Sequence, residues 1–176
     1  MFAGTVRTNL DPFNEHTDEA LNAVIKEASL VEQVKSAGGL AGKVSGVGSG
    51  AWSLGQQQLV CLARAALRKV PVLCLDEATS AMDPQTEQEV GAVIKRVFKE
   101  RTIITIAHRL DTVIESDKVL VMEAGVLKEQ GPCTDLLANP DSMFSLLVDK
   151  TGAQAAQALR QLANEFRASR ELAGHK

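Results

Sequence analysis

Between Asp18 and Ser36 the apolar residues Leu21, Val24, Ile25, Ala28, Leu30 and Val31 recur at mostly helical spacing, with Thr17 placed as an N-cap, so this stretch predicts one helix. Six glycines between Gly38 and Gly50 predict a loop after it. Leu59, Leu62, Ala63, Ala66 and Leu67 then form the buried face of a second helix, which Pro71 stops. Val72 to Leu75 are four consecutive apolar residues, the mark of a strand buried on both faces, and they run directly into two acids. Asp83-Pro84 reads as an N-cap followed by proline at the first helical position, opening a helix with the stripe Val90, Val93, Ile94, Val97 and Phe98. The β-branched run Thr102 to Ala107 ends at His108, and Lys118 to Met122 forms another strand, turned at Ala124-Gly125 into a short strand from Val126 to Glu129. Two short helical segments follow Pro132. A longer amphipathic helix runs from Ala153 to Leu172, with Ala155, Leu159, Leu162 and Phe166 on one side. Strands alternating with helices predict an α/β fold with a mainly parallel sheet, flanking helices and a C-terminal helical tail.

Composition fits that pattern. Apolar residues make up 45% and aromatic residues only 3% of the 176, and a core of Val, Leu, Ile and Ala suits a parallel sheet covered by helices. A net charge of -3 and the lack of any basic run of five or more argue against nucleic acid or an anionic membrane surface as a partner. No apolar stretch approaches the ~18 residues of a membrane-spanning helix, and Met1 to Arg7 does not build the core of a signal peptide. The three cysteines, Cys61, Cys74 and Cys133, have no metal-binding spacing. Two of them lie in apolar runs, as small buried hydrophobes do, and all three read as reduced thiols.

The strongest chemical signal is the apolar run that ends in Asp76-Glu77. Ligands of open α/β sheets bind beyond the carboxyl ends of the strands, so these acids stand where a ligand belongs. Adjacent strand residues point to opposite faces. One acid can therefore hold a hard cation while the other faces an attacking water, the division of labour that phosphoryl transfer with Mg²⁺ requires. Upstream, Ser53-Leu54-Gly55-Gln56 opens a helix, whose N-terminal amides favour an anion; Ser53 is equally an ordinary N-cap, and the two readings are compatible. His108, at the end of its strand, shares an edge with Asp76 and Glu77 if the strands are parallel, which makes it a candidate phosphate contact.

These segments, in this order and spacing, resemble the ATPase domain of ABC transporters. Ser53-Leu54-Gly55-Gln56 is similar to the signature sequence, Val72 to Asp76 to Walker B with Glu77 as the catalytic carboxylate, Ser80 to Asp83 to the D-loop, and His108 to the switch histidine. Phe2 to Phe13 and Leu59 to Ala65 resemble, in particular, the second nucleotide-binding domain of subfamily C (multidrug-resistance-associated) transporters. The resemblance covers roughly residues 1–138 and implies a P-loop NTPase-like fold for a domain of residues 1–149, with 150–176 as a tail that carries none of its motifs. It further implies ATP as substrate and Mg²⁺ held by Asp76 through water. Catalysis would rest on Glu77 and His108; Ser53, Leu54, Gly55 and Gln56 would meet a nucleotide bound by a second nucleotide-binding domain; Ser80 and Asp83 would serve the D-loop. The implied partners are that second domain and the transmembrane domains of an exporter, which would hold the chain at the cytoplasmic face of a membrane.

Three departures qualify the resemblance. Leu54 stands where the signature usually has glycine, and Gln57 where a basic residue is common. More consequentially, the sequence contains no G-x-x-x-x-G-K-[ST]. Gly42-Lys43 is a decoy, with alanine at the first glycine position and Val44 where the hydroxyl belongs. The domain is therefore expected to be incomplete and to need its N-terminal, phosphate-binding half as a partner. Because each donor aimed at developing charge is worth ~10²–10³ in rate, the 176-residue chain alone is expected to be inactive. Two other readings follow: a non-enzymatic half-site or protein-binding module, and a soluble ABC ATPase of DNA maintenance, against which the acidic balance speaks.

Overall fold

The computed structural model describes residues 1–44, 52–76, 82–107 and 109–174, which fall into two compact units, Met1–Ile106 and Ala107–Lys176. The first unit begins with a two-residue strand β1 (Gly4–Thr5) and a short helix α1 (Val6–Leu10). Helices α2 (Asp18–Glu27) and α3 (Val31–Ala37) come next, then β2 (Lys43–Val44), α4 (Leu54–Leu67), β3 (Val72–Asp76), α5 (Pro84–Val97) and β4 (Thr102–Ile106).

The helix expected across residues 18–36 is thus two helices. Thr17 caps α2 as predicted, its hydroxyl accepting from the Ala20 N–H, but Ser29 adopts φ 57 and turns the chain. The turn drives Leu30 fully into the core, which the periodicity of a single helix had disguised. A second correction concerns the glycine-rich segment, whose Lys43–Val44 pair antiparallel with Gly4–Thr5 and bury Val44. Gly42 has to be glycine there, since a Cβ would overlap the carbonyl of Ala37.

Helix α4 carries the expected buried face and ends at Leu67, with Lys69 at φ 49, so the chain leaves the helix before Pro71. It packs against α1, α2 and α5. The β3 and β4 strands pair in parallel, in the register Val72↔Thr102 through Asp76↔Ile106. Leu73 and Leu75 face the core, whereas Val72, Cys74 and Asp76 are exposed. Burial on both faces, expected from the unbroken apolar run, is therefore corrected to burial on one. Helices cover one side of the ladder, and among the described residues no layer covers the other.

The second unit contains α6 (Leu110–Ile114), the hairpin β5 (Val119–Glu123) and β6 (Val126–Gly131), α7 (Cys133–Ala138), α8 (Met143–Asp149) and α9 (Ala153–Gly174). Ala124 and Gly125 both take positive φ, the conformation that a two-residue hairpin turn requires. Such a short connection makes the pair antiparallel. Among the described ladders only β3–β4 is parallel, so the expected parallel sheet is seen in that pair alone. Helix α9 packs on α6, α7 and α8 through Ala156 and Ala163, with Leu159 and Leu162 alongside; Ala155, expected on that face, is exposed.

Candidate functional site

At the start of α4, Ser53 takes extended φ/ψ and its Oγ accepts from the Gln56 N–H at 3.2 Å, while Gln56 Oε1 accepts from the Ser53 N–H at 2.9 Å. This reciprocal capping box holds the turn rigid. It uses both side chains as acceptors, so the Ser53 hydroxyl proton and the Gln56 amide nitrogen are left as donors beside the amides of a 14-residue helix. Leu54 is half exposed at 51%, an apolar side chain next to this polar turn. Gln57 Nε2 donates to the Trp52 carbonyl at 2.9 Å and secures the buried indole that precedes the turn.

Asp83 caps α5 with three bonds. Its Oδ1 accepts from the N–H groups of Gln85 at 3.1 Å and Thr86 at 3.0 Å, and its Oδ2 accepts from the Thr86 hydroxyl at 2.6 Å. The Thr86 hydroxyl is the main reason its carboxyl lies below the ordinary carboxylate range. The helices whose N-termini carry Gly55 and Thr86 approach closely, because a Cβ built on Gly55 would overlap Thr86 Cγ2. The structure thus brings the Ser53–Gln56 turn and Asp83 to either side of Thr86, a residue that sequence reasoning missed. Its signal was legible as the third residue after the Asp83 cap.

A cavity of about 470 Å³ opens beside this turn, walled by the cap Ser53 with Gly55 and Gln56 of α4, by Thr86, Glu89 and Arg96 of α5, and by Ser29 and Gln33 at the α2–α3 corner. Arg96 ties that corner to α5, donating to the Glu27 carbonyl at 2.7 Å and to Ser29 Oγ at 3.0 Å. Gln33 Oε1 is buried without a partner among the described residues.

Asp76 ends β3 opposite Ile106, the last residue of β4, with its side chain exposed; it does not line the cavity. An exposed carboxylate suits a hard cation that keeps most of its water. Glu77, Ser80 and His108 lie outside the described residues. Asp11, Glu15 and His16 bring potential metal ligands within 4.8 Å of one another. The Asp11 carboxylate, however, already accepts from the Glu15 N–H at 3.0 Å and the His16 N–H at 2.8 Å, which explains the cluster as a loop clasp.

The two cysteines expected to be buried, Cys61 and Cys74, are exposed, because each points away from its element's packed face. Cys133, in no apolar run, is buried at the start of α7, and that burial pushes its thiol up to about 11. No helix among the described residues is long and apolar enough to cross a membrane.

Residues 3–80 match the family described as ABC transporter. Over 164 residues, 93% of this chain, the sequence is 46% identical to ABC transporter C family member 3 of Dictyostelium discoideum. Over 165 residues, 94% of this chain, it is 44% identical to ATP-binding cassette sub-family C member 4 of Homo sapiens. It is also 43% identical over 154 residues, 86% of this chain, to the metal resistance protein YCF1 of Saccharomyces cerevisiae. The chain spans 12% of the length of the first two relatives and 10% of the third.

Proposed function

Since the chain belongs to the ABC transporter family and carries nucleotide-binding-domain sequence of subfamily C, we propose that it is the C-terminal part of the second such domain of an exporter. In that reading the domain couples ATP hydrolysis to transport across a membrane and works at its cytoplasmic face, together with transmembrane domains and a second nucleotide-binding domain. The observation that carries it is the Ser53–Gln56 capping box, which leaves a hydroxyl, an amide and the helix N-terminus as donors on one turn. Those donors suit the γ-phosphate of a nucleotide held by the opposite domain, with Leu54 flanking the contact and Gly55 allowing close approach.

Asp76 is the residue to hold Mg²⁺, through water, and the cation supplies charge neutralisation at the phosphate oxygens. Glu77 takes the water-activating role, His108 the phosphate contact, and Ser80 and Asp83 the D-loop. The phosphate-binding loop has to come from a further segment, either of a longer protein or of a separate chain. The bare face of β3–β4, with Val72, Ile104 and Ile106 exposed, is the surface such a segment would cover.

Glu77→Gln in the ATPase assembled with that segment is expected to lower steady-state ATP hydrolysis by about 10²-fold or more while sparing ATP binding. Unchanged turnover would remove Glu77 from the mechanism. The same bare face favours a second reading, a half-site that lends its signature turn to another ATPase. The 176-residue chain should then bind no Mg-ATP by itself yet restore hydrolysis when mixed with a phosphate-loop half, and a failure to complement would count against it.

A further inference from the structure

We propose that Thr86 is a positioning residue that couples the signature turn to the D-loop aspartate: its methyl seats against Gly55 and its hydroxyl holds Asp83. The proposal deepens the reading of Ser53–Gln56 and Asp83 as nucleotide-facing elements and rests on it. Gly55 occupies the second position of α4, and glycine is a poorer helix former than alanine. Helix propensity therefore does not account for it. Close approach does, because an added Cβ would overlap Thr86 Cγ2 and lie 3.6 Å from Thr86 Cβ.

Thr86 is the third residue of α5, and its two γ-branches face different motifs. Cγ2 meets Gly55, and Oγ1 donates to Asp83 Oδ2 at 2.6 Å. Both branches hang on one torsion, so neither moves without the other, and a β-branched residue in a helix has few alternative rotamers. A displacement of the α4 N-terminus, such as a phosphate would cause, turns the threonine and loosens Asp83. In the reverse direction, release of Asp83 frees the wall against which Gly55 rests. Sequence spacing places these residues 31 positions apart, and only the α4–α5 packing joins them.

The branches can be separated chemically in the 176-residue chain. Thr86→Ser keeps the hydroxyl and removes the methyl; Thr86→Val keeps a methyl and removes the hydroxyl. By amide NMR, Thr86→Ser is expected to shift the Gly55 resonance and leave the Asp83 carboxyl titration low, whereas Thr86→Val raises the Asp83 midpoint. Gly55→Ala should raise that midpoint too, and Gly55→Ala with Thr86→Ser should return it toward the parent value. A Gly55→Ala variant that leaves Asp83 untouched, or a double variant no closer to the parent than the single one, overturns the coupling. If Gly55→Ala does not fold, the Thr86→Ser and Thr86→Val pair decides alone, and an unmoved Gly55 amide in Thr86→Ser overturns it. In the assembled ATPase, Thr86→Val should lower kcat about tenfold with KM for ATP little changed, and Thr86→Ser should retain most of the rate. Should the NMR coupling hold while neither Thr86→Val nor Glu77→Gln alters hydrolysis, the roles assigned to these residues in turnover fail and the coupling stands.

Discussion

Glu129 belongs to β6, yet its carboxylate works at the start of α8. Oε1 accepts from the Met143 N–H at 2.7 Å, and Oε2 from the Ser142 hydroxyl at 2.9 Å and the Phe144 N–H at 3.3 Å. Ser142 Oγ takes the next amide, that of Ser145, so three consecutive N–H groups that the helix leaves unpaired find acceptors. The Met143 N–H contributes most to holding the Glu129 carboxyl below its ordinary value; partial burial opposes it, and Ser142 and Phe144 add to the lowering. A carboxyl depressed in the folded state contributes stability above its unfolded pKa and loses it as pH falls through the folded one. Thermal midpoints of the chain are therefore expected to fall on acidification below about pH 4.5, and Glu129→Gln should flatten that dependence. Equal slopes for parent and variant would show that Glu129 does not govern this end of the stability curve.

At the scale of elements, legibility in the sequence tracked how local the cause was. Thr17, Ser53 and Asp83 each cap a helix by a bond to a residue two or three positions on, and all three helices begin where local chemistry said they would. The Ala124-Gly125 turn was equally local. The break at Ser29 was not: its corner is held from α5 by Arg96, which is 67 residues away and bonds both Glu27 and Ser29. The contact of Thr86 with Gly55 escaped for the same reason, since only tertiary packing sets the two together. Glu77, Ser80 and His108, assigned from resemblance, lie outside the described part, so the site is legible from structure only at its signature turn, Asp76 and Asp83. The corner provides its own test. Arg96→Met keeps much of the apolar stem and removes both bonds, and it should cost about 1 kcal/mol in chemical denaturation, below the usual range for charged hydrogen bonds because this side chain is exposed. A variant as stable as the parent would mean that Leu30 burial alone holds the corner.

For the whole molecule, the decisive feature is that, among the described residues of the first unit, no layer covers one face of β3–β4. A parallel ladder ordinarily has helices on both sides, and here alternate residues of both strands, Val72, Ile104 and Ile106 among them, remain exposed. Cys74 lies on β3 in the same alternation as Val72 and Asp76, so it reports on that face, while Cys61 is exposed on α4 and Cys133 is buried with its thiol pushed up to about 11. At neutral pH Cys133 holds roughly a hundredfold less thiolate than an ordinary cysteine, and thiolate is the reacting form. Alkylation of the native chain should accordingly show two fast thiols and one slow one. Adding a phosphate-loop half that completes the domain should slow Cys74 and leave Cys61 unchanged, because only the former sits on the surface to be covered. Peptide-resolved labelling separates the outcomes. Protection of Cys74 alone identifies β3–β4 as the docking face for the missing half, whereas protection of neither cysteine on a half that restores hydrolysis means that the bare face is covered by something else.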